Sequence, residues 1–315
     1  MKTVKVPLRD LEFVTSCVIL IVTMLVPVFK NTWVIYVMIF FMLYSIMGHS
    51  WNIFSGLTRI VSFGHGAFFG LGAYATFIVV RDLSQPFPFS FILSMMLAAA
   101  ICGATSFLVS YPFLGLRGLS FAICSLAFTE FLAIIFTNTQ IIERGREVAF
   151  ISPQVDLITG YYLVFIILLL VTAVYWKVEN SKIGLALKAI GENEDAANSL
   201  GVNVFSTIRN AYVISAICMG LAGALFPYIM LSANVEMLFG VNRSLIPLII
   251  CIFGGTGSVL GPFLGSIVWQ ILAEYFRASF GYLHWVILGS CVIAIHLIEP
   301  SGLAGMLKKF IKRIS

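Results

Sequence analysis

Charged residues fall at intervals along this chain, and the stretches between them are long enough to cross a membrane. Uncharged windows run over 13–29, 31–58, 60–80, 83–116, 157–176, 210–235, 244–273 and 278–298. A helical span needs about 20 apolar residues, with about 17 to 25 the usual range. Inside a bilayer each backbone N–H and C=O must be satisfied within the protein, so these windows read as helices. Region 118–137, interrupted only by Glu130, is a further candidate. Window 244–273 contains Gly254-Gly255-Thr256-Gly257-Ser258 and divides into two segments that meet at a break. The expectation is an all-α polytopic membrane protein of about ten transmembrane helices, some broken by Gly-rich turns. It forms one transmembrane domain over 1–315, with possible half-repeats at 30–176 and 209–300.

Composition agrees. Apolar residues make up 60% of the chain, charged residues 10%, and the mean hydropathy is +1.02. A soluble domain carries about 25% charged residues. Cys17, Cys102, Cys124, Cys218, Cys251 and Cys291 each fall in a separate apolar window, as packing residues do. No metal site and no cofactor is expected. MKTVKVPLR precedes an apolar run that ends Val26-Pro27-Val28-Phe29-Lys30 without a small-x-small cleavage site, so it reads as a retained first span. With the N-terminus in the cytoplasm, thirteen lysines and arginines lie inside and six outside, in line with the positive-inside rule. Both termini and the island 177–209 are then cytoplasmic, and 138–160 is the main outer loop.

That island concentrates eight charged residues. Within it Asn193 can cap a short helix whose first turn holds Glu194 and Asp195, complementing the positive helix end. Ala196, Ala197 and Leu200 fall on one face, and Gly201 sits where a left-handed cap belongs. Such a helix can seat in a groove on another protein; an ordinary polar loop is the plainer reading.

Two segments break the helical pattern. The stretches Gly56 to Tyr74 and Phe253 to Gly265 both contain G-x-F-x-G, as Gly66 to Gly70 and as Gly261 to Gly265. Glycines four apart share a helix face and let backbones approach closely. Gly-interrupted segments at matching places in two halves also point to a transporter's internal repeat. His65 has no carboxylate or second histidine at ligand spacing, so a bond to a neighbour such as Ser62 is the expected role. Glu130 is the one carboxylate well inside a span and is expected to face a polar interior. His65 and Glu130 are the two candidates for a substrate pathway.

The run Gly56 to Tyr74 resembles the S-x-G-H-x-A-F-F-G segment of LivM-type permeases, membrane subunits of ATP-binding-cassette importers for branched-chain amino acids. Leu187 to Asn203 is similar to that family's cytoplasmic loop. There Asp195-Ala196-Ala197-x-x-x-Gly201 resembles the E-A-A-x-x-x-G signature that docks on the ATPase. Gly254 to Pro262 matches its G-G-x-G-S-x-x-G-P. The resemblance implies an ATPase-coupling loop over Glu192, Asn193, Glu194, Asp195, Ala196, Ala197, Leu200 and Gly201. It also implies alternating access driven by two partner ATPases, a sister permease and a periplasmic or lipid-anchored solute-binding protein, in a bacterial inner membrane. Lipid surrounds the spans, and no nucleic acid is involved. Three departures stand out: Gly191 replaces a usual arginine, Asp195 replaces the signature's glutamate, and the family's T-G-G-x-x-G outer loop is missing from Asn138–Glu147. The last bears on the solute, so urea and short amides stand as alternatives to branched-chain amino acids. A channel or secondary transporter would need more intramembrane charge. A membrane enzyme would need His65 and Glu130 to meet as an acid–base pair.

Overall fold

The computed structural model describes residues 8–116, 118–139, 148–298 and 302–307. The outer-loop departure at 140–147, and most of the terminal basic residues, lie outside them. The described chain is a helical bundle: α1 (Leu8–Leu25), α2 (Thr32–Trp51), α3 (His65–Phe77), α4 (Phe89–Phe113), α5 (Leu119–Thr139), α6 (Leu157–Glu179), α7 (Lys182–Glu192), α8 (Glu194–Ser199), α9 (Val204–Met230), α10 (Val235–Phe239), α11 (Val241–Gly254), α12 (Leu260–Phe280) and α13 (His284–Ile298). Its described strands are the two-residue β1 (Ala149–Phe150) and β2 (Ser232–Ala233), paired antiparallel.

Seven helical segments among the described residues are long and apolar enough to cross a membrane: Glu12–Phe29, Thr32–Gly56, Phe89–Phe113, Leu119–Thr139, Leu157–Glu179, Val204–Met230 and Val235–Gly254. This is fewer than the expected ten. The other three expected spans correspond to α3, α12 and α13. As regular helix α3 has 13 residues and α13 has 15, about 20 Å and 22 Å long. Helix α12 carries Glu274 and Arg277 in its second half.

Helices α2, α3 and α9 form the centre. Every residue of α3 is buried, and α9 runs beside it with backbones touching at glycines. A Cβ at Gly72 would stand 1.9 Å from the Gly220 carbonyl oxygen, and one at Gly223 1.9 Å from that of Phe69. Because lipid is as apolar as leucine, such close van der Waals contact is what holds membrane helices together. Around this centre, α1 and α4 expose apolar faces as lipid-facing helices do, and α5 exposes Ile123, Phe131 and Ile134 beside Glu130.

Asn31 starts α2 by accepting from the Trp33 and Val34 N–H groups, and Asp156 starts α6 by accepting from Thr159. The Thr159 hydroxyl and N–H hold the Asp156 carboxyl below its ordinary value. One end of the bundle gathers loop 57–63, α7 and α8. The opposite end carries the β1–β2 pair.

Candidate functional site

Helices α7 and α8 share one residue as stop and start. The Ser181 hydroxyl accepts from the Gly184 N–H at 3.2 Å and begins α7. Gly184, Leu187 and Ile190 are its buried residues, spaced three apart. Asn193 leaves helical geometry at φ −157°, ψ 110° and caps α8, its Oδ1 accepting from the Ala196 N–H at 2.9 Å. Glu194 and Asp195 occupy the first turn, where their charge meets the unpaired N–H groups. Gly201 has φ +86°, a left-handed conformation that a side chain would strain.

The face expected to be uniform is divided. Ala197 is 2% exposed and belongs to the apolar core of this chain. Ala196 is exposed, and Leu200 is 84% exposed. Ala197 therefore seats α8 on its own bundle. Asp195, Ala196, Ser199 and Leu200 are exposed on its outer side. Beside it runs a cleft of about 600 Å³ that Ile60, Leu116, Gly118, Phe121, Asp195 and Phe205 help to line.

Contacts lead from this helix pair into the bundle. Gly191 lies on loop 57–58: a Cβ there would stand 3.0 Å from the Thr58 carbonyl oxygen. Glu192 pairs with Arg59 at 2.6 Å; both are exposed, so the pair positions the loop with little net stabilisation. Loop 57–64 follows a π-helical turn, Asn52–Gly56, at the end of α2.

Asn52 joins the two broken segments. Its Oδ1 accepts from the Gly257 N–H at 2.8 Å and its Nδ2 donates to the Ser258 carbonyl at 2.9 Å. The break before α12 thus rests on the helix that leads into the break before α3. Gly255 and Gly257 carry φ +108° and +71°. His49 Nδ1 lies 2.7 Å from the Ser45 carbonyl and Nε2 3.1 Å from that of Val259. The expected packing glycines lie in tight places. A Cβ at Gly66 would meet Ser244 Oγ at 2.4 Å, one at Gly70 the Phe239 ring at 2.3 Å, and one at Gly265 the Ile250 carbonyl at 1.9 Å. Gly254 and Gly261 face each other and Gly64 faces Ser125.

His65 is fully enclosed. Its Nε2 is 2.6 Å from Ser215 Oγ and its Nδ1 3.1 Å from Ser62 Oγ. Ser215 donates its single hydroxyl proton to the Ser50 carbonyl at 2.6 Å. It must therefore accept from His65, which in the neutral ring puts the proton on Nε2 and leaves Nδ1 to accept from Ser62. Both nitrogens are occupied by serines, so His65 ties α2, loop 57–64 and α9 together and makes no acid–base pair with Glu130. Glu130 lies on α5, partly exposed.

Sequence reasoning missed two polar features. Arg243 lies under two rings, 5.0 Å from the Phe69 centroid and 4.6 Å from Phe226, and donates Nε to the Met237 carbonyl at 2.6 Å. Asn234 caps α10 by accepting from the Met237 N–H at 2.8 Å. The Asn-x-x spacing ahead of a short apolar run could have signalled that cap.

Seven described helices long and apolar enough to cross a membrane, packed around broken segments, mark a multi-pass membrane protein. The chain belongs to the family described as branched-chain amino acid transport system / permease component, which matches residues 33–298. It is 27% identical over 302 residues to the high-affinity branched-chain amino acid transport system permease protein LivM of Salmonella typhimurium, covering 86% of this chain and 70% of that one. It is 24% identical over 284 residues to the probable branched-chain amino acid transport permease protein LivH of Methanocaldococcus jannaschii, covering 82% and 87%. Against the permease protein BraD of Pseudomonas aeruginosa it is 24% identical over 285 residues, covering 83% and 91%. No solved structure matches the chain.

Proposed function

We propose that this chain is a translocation subunit of an ATP-driven importer for branched-chain amino acids in a bacterial inner membrane. It acts as one domain of ten crossings with both termini cytoplasmic, its halves 30–176 and 209–300 each contributing a broken segment. The carrying observation is family membership across 33–298. Two ATPases drive it, a sister permease completes the path, and a solute receptor delivers to the outer face. Helix α8 meets the ATPase through Asp195, Ala196, Ser199 and Leu200. Motion there reaches the breaks through Gly191, loop 57–58 and Asn52, a contiguous set of contacts that can switch between discrete arrangements. Glu130 lines the solute path.

Co-expression with candidate ATPases tests the lever. Leu200→Asp, at an exposed position, should fold normally yet lose ATPase co-purification and leucine-stimulated ATP hydrolysis in proteoliposomes. Full retention of both would remove α8 as the coupling element. Ala197→Trp is a different probe, because it would first unseat α8 from its own bundle.

A further inference from the structure

Glu130 is the twelfth of the 21 residues of α5. That places it about 17 Å from one helix end and about 14 Å from the other, beyond the reach of its side chain to either interface. Its neighbour Thr129 turns inward toward Gly66, whereas Glu130 lies on the outward side with the exposed Ile123, Phe131 and Ile134. Glu130 has no hydrogen-bonding or ionic partner among the described residues. Arg243 does not neutralise it, since that guanidinium is held by the Met237 carbonyl and two phenylalanine rings. A bare carboxylate at this depth cannot rest against hydrocarbon without a heavy cost, so this face meets water or a cation in the assembled protein. Toward the Leu119 end the same face carries Ala127, Leu126 and Ile123, and Glu130 itself is partly exposed.

We infer that Glu130 receives the ammonium group of a zwitterionic solute midway along the path; this rests on the importer reading above. The carboxylate supplies a negative acceptor for the charge that an amino acid must carry across the bilayer, and it makes Glu130 a specificity-determining residue against uncharged solutes.

The test uses the full importer in proteoliposomes, with leucine as solute. At saturating receptor–leucine complex, Glu130→Gln should lower the uptake rate by about tenfold or more, the scale of a lost charge-assisted hydrogen bond. Glu130→Asp should restore part of it. Glu130→Cys should react with a water-soluble cationic methanethiosulfonate reagent, and leucine should slow that reaction. Unchanged uptake by Glu130→Gln overturns the inference. Loss of the second permease from the Glu130→Gln complex also overturns it, by assigning the carboxylate to a subunit contact. If the wild-type chain binds no ATPase or imports no leucine, the importer reading fails instead. In that case an unreactive cysteine variant still overturns the aqueous placement of Glu130.

Discussion

Helices α3 and α5 are neighbours of similar apolar character, yet the fold treats them as opposites. All 13 residues of α3 are buried, whereas α5 buries only Phe121, Ala122, Ser125 and Thr129 of its 21. Hydropathy does not separate them, because in a bilayer both lipid and protein interior favour apolar side chains. Small residues do. Helix α3 carries Gly66, Gly70 and Gly72 on faces that touch Ser244, Phe239 and Gly220, while α5 has no glycine and spreads its bulk outward. Close backbone approach, not hydrophobicity, decides which helix becomes the centre.

The sharpest way to break this contrast is to add bulk at the centre and remove it at the rim. Gly72→Leu drives a side chain into the Gly220 backbone, which cannot rotate away, and should cost about 3 kcal/mol or more. The expected result is loss of the monodisperse peak in size-exclusion chromatography of detergent extracts. Ile134→Ala on α5, 61% exposed, should shift the thermal midpoint negligibly, by an amount within about 0.5 kcal/mol. Equal behaviour of the two would show that α3 and α5 do not differ as core and rim. Gly66→Leu falls between them: the nearest obstruction, the Ser244 hydroxyl, can turn, but the Ser244 backbone nitrogen would stand 3.1 Å from the new Cβ.

A second, smaller effect concerns the polar tie inside the centre. His65→Ala leaves Ser62 without its histidine partner and should cost about 1–3 kcal/mol, read as a lower thermal midpoint of purified protein. Folded His65→Ala protein should still transport, because the ring is enclosed by serines and aromatic groups. Abolished transport at unchanged stability would return His65 to the solute path.

The mildest effect belongs to the lever. Asn193→Ala removes the cap of α8 and should cost about 1 kcal/mol locally. Hydrogen exchange of the Ala196 amide would report it, with the amides of α3 unaffected. Equal loosening of α3 would mean that the lever and the core unfold as one unit.

Much of this arrangement is legible in the chain. The break between α11 and α12 is written in Gly254 to Ser258, because repeated glycines cannot sustain a helix that proline and small residues then restart. The cap at Asn193, the acidic first turn and the glycine stop at Gly201 are local, set by hydrogen bonds within four residues. Helix α7 is written in the sequence as well, in an amphipathic pattern that puts Gly184, Leu187 and Ile190 on its inward face.

Local chemistry thus determines the apolar spans, the charged island and the points where helices start and stop, since each depends on residues within a turn or two. Only the tertiary structure decides that Ala197 faces its own bundle while Leu200 faces out, for both sides of a six-residue helix look alike until something packs against one. It also decides that Asn52, an unremarked polar residue at the end of α2, holds a glycine break 205 residues away. A buried amide must find partners wherever the fold brings a free backbone N–H and C=O, and that placement depends on the packing of the whole bundle.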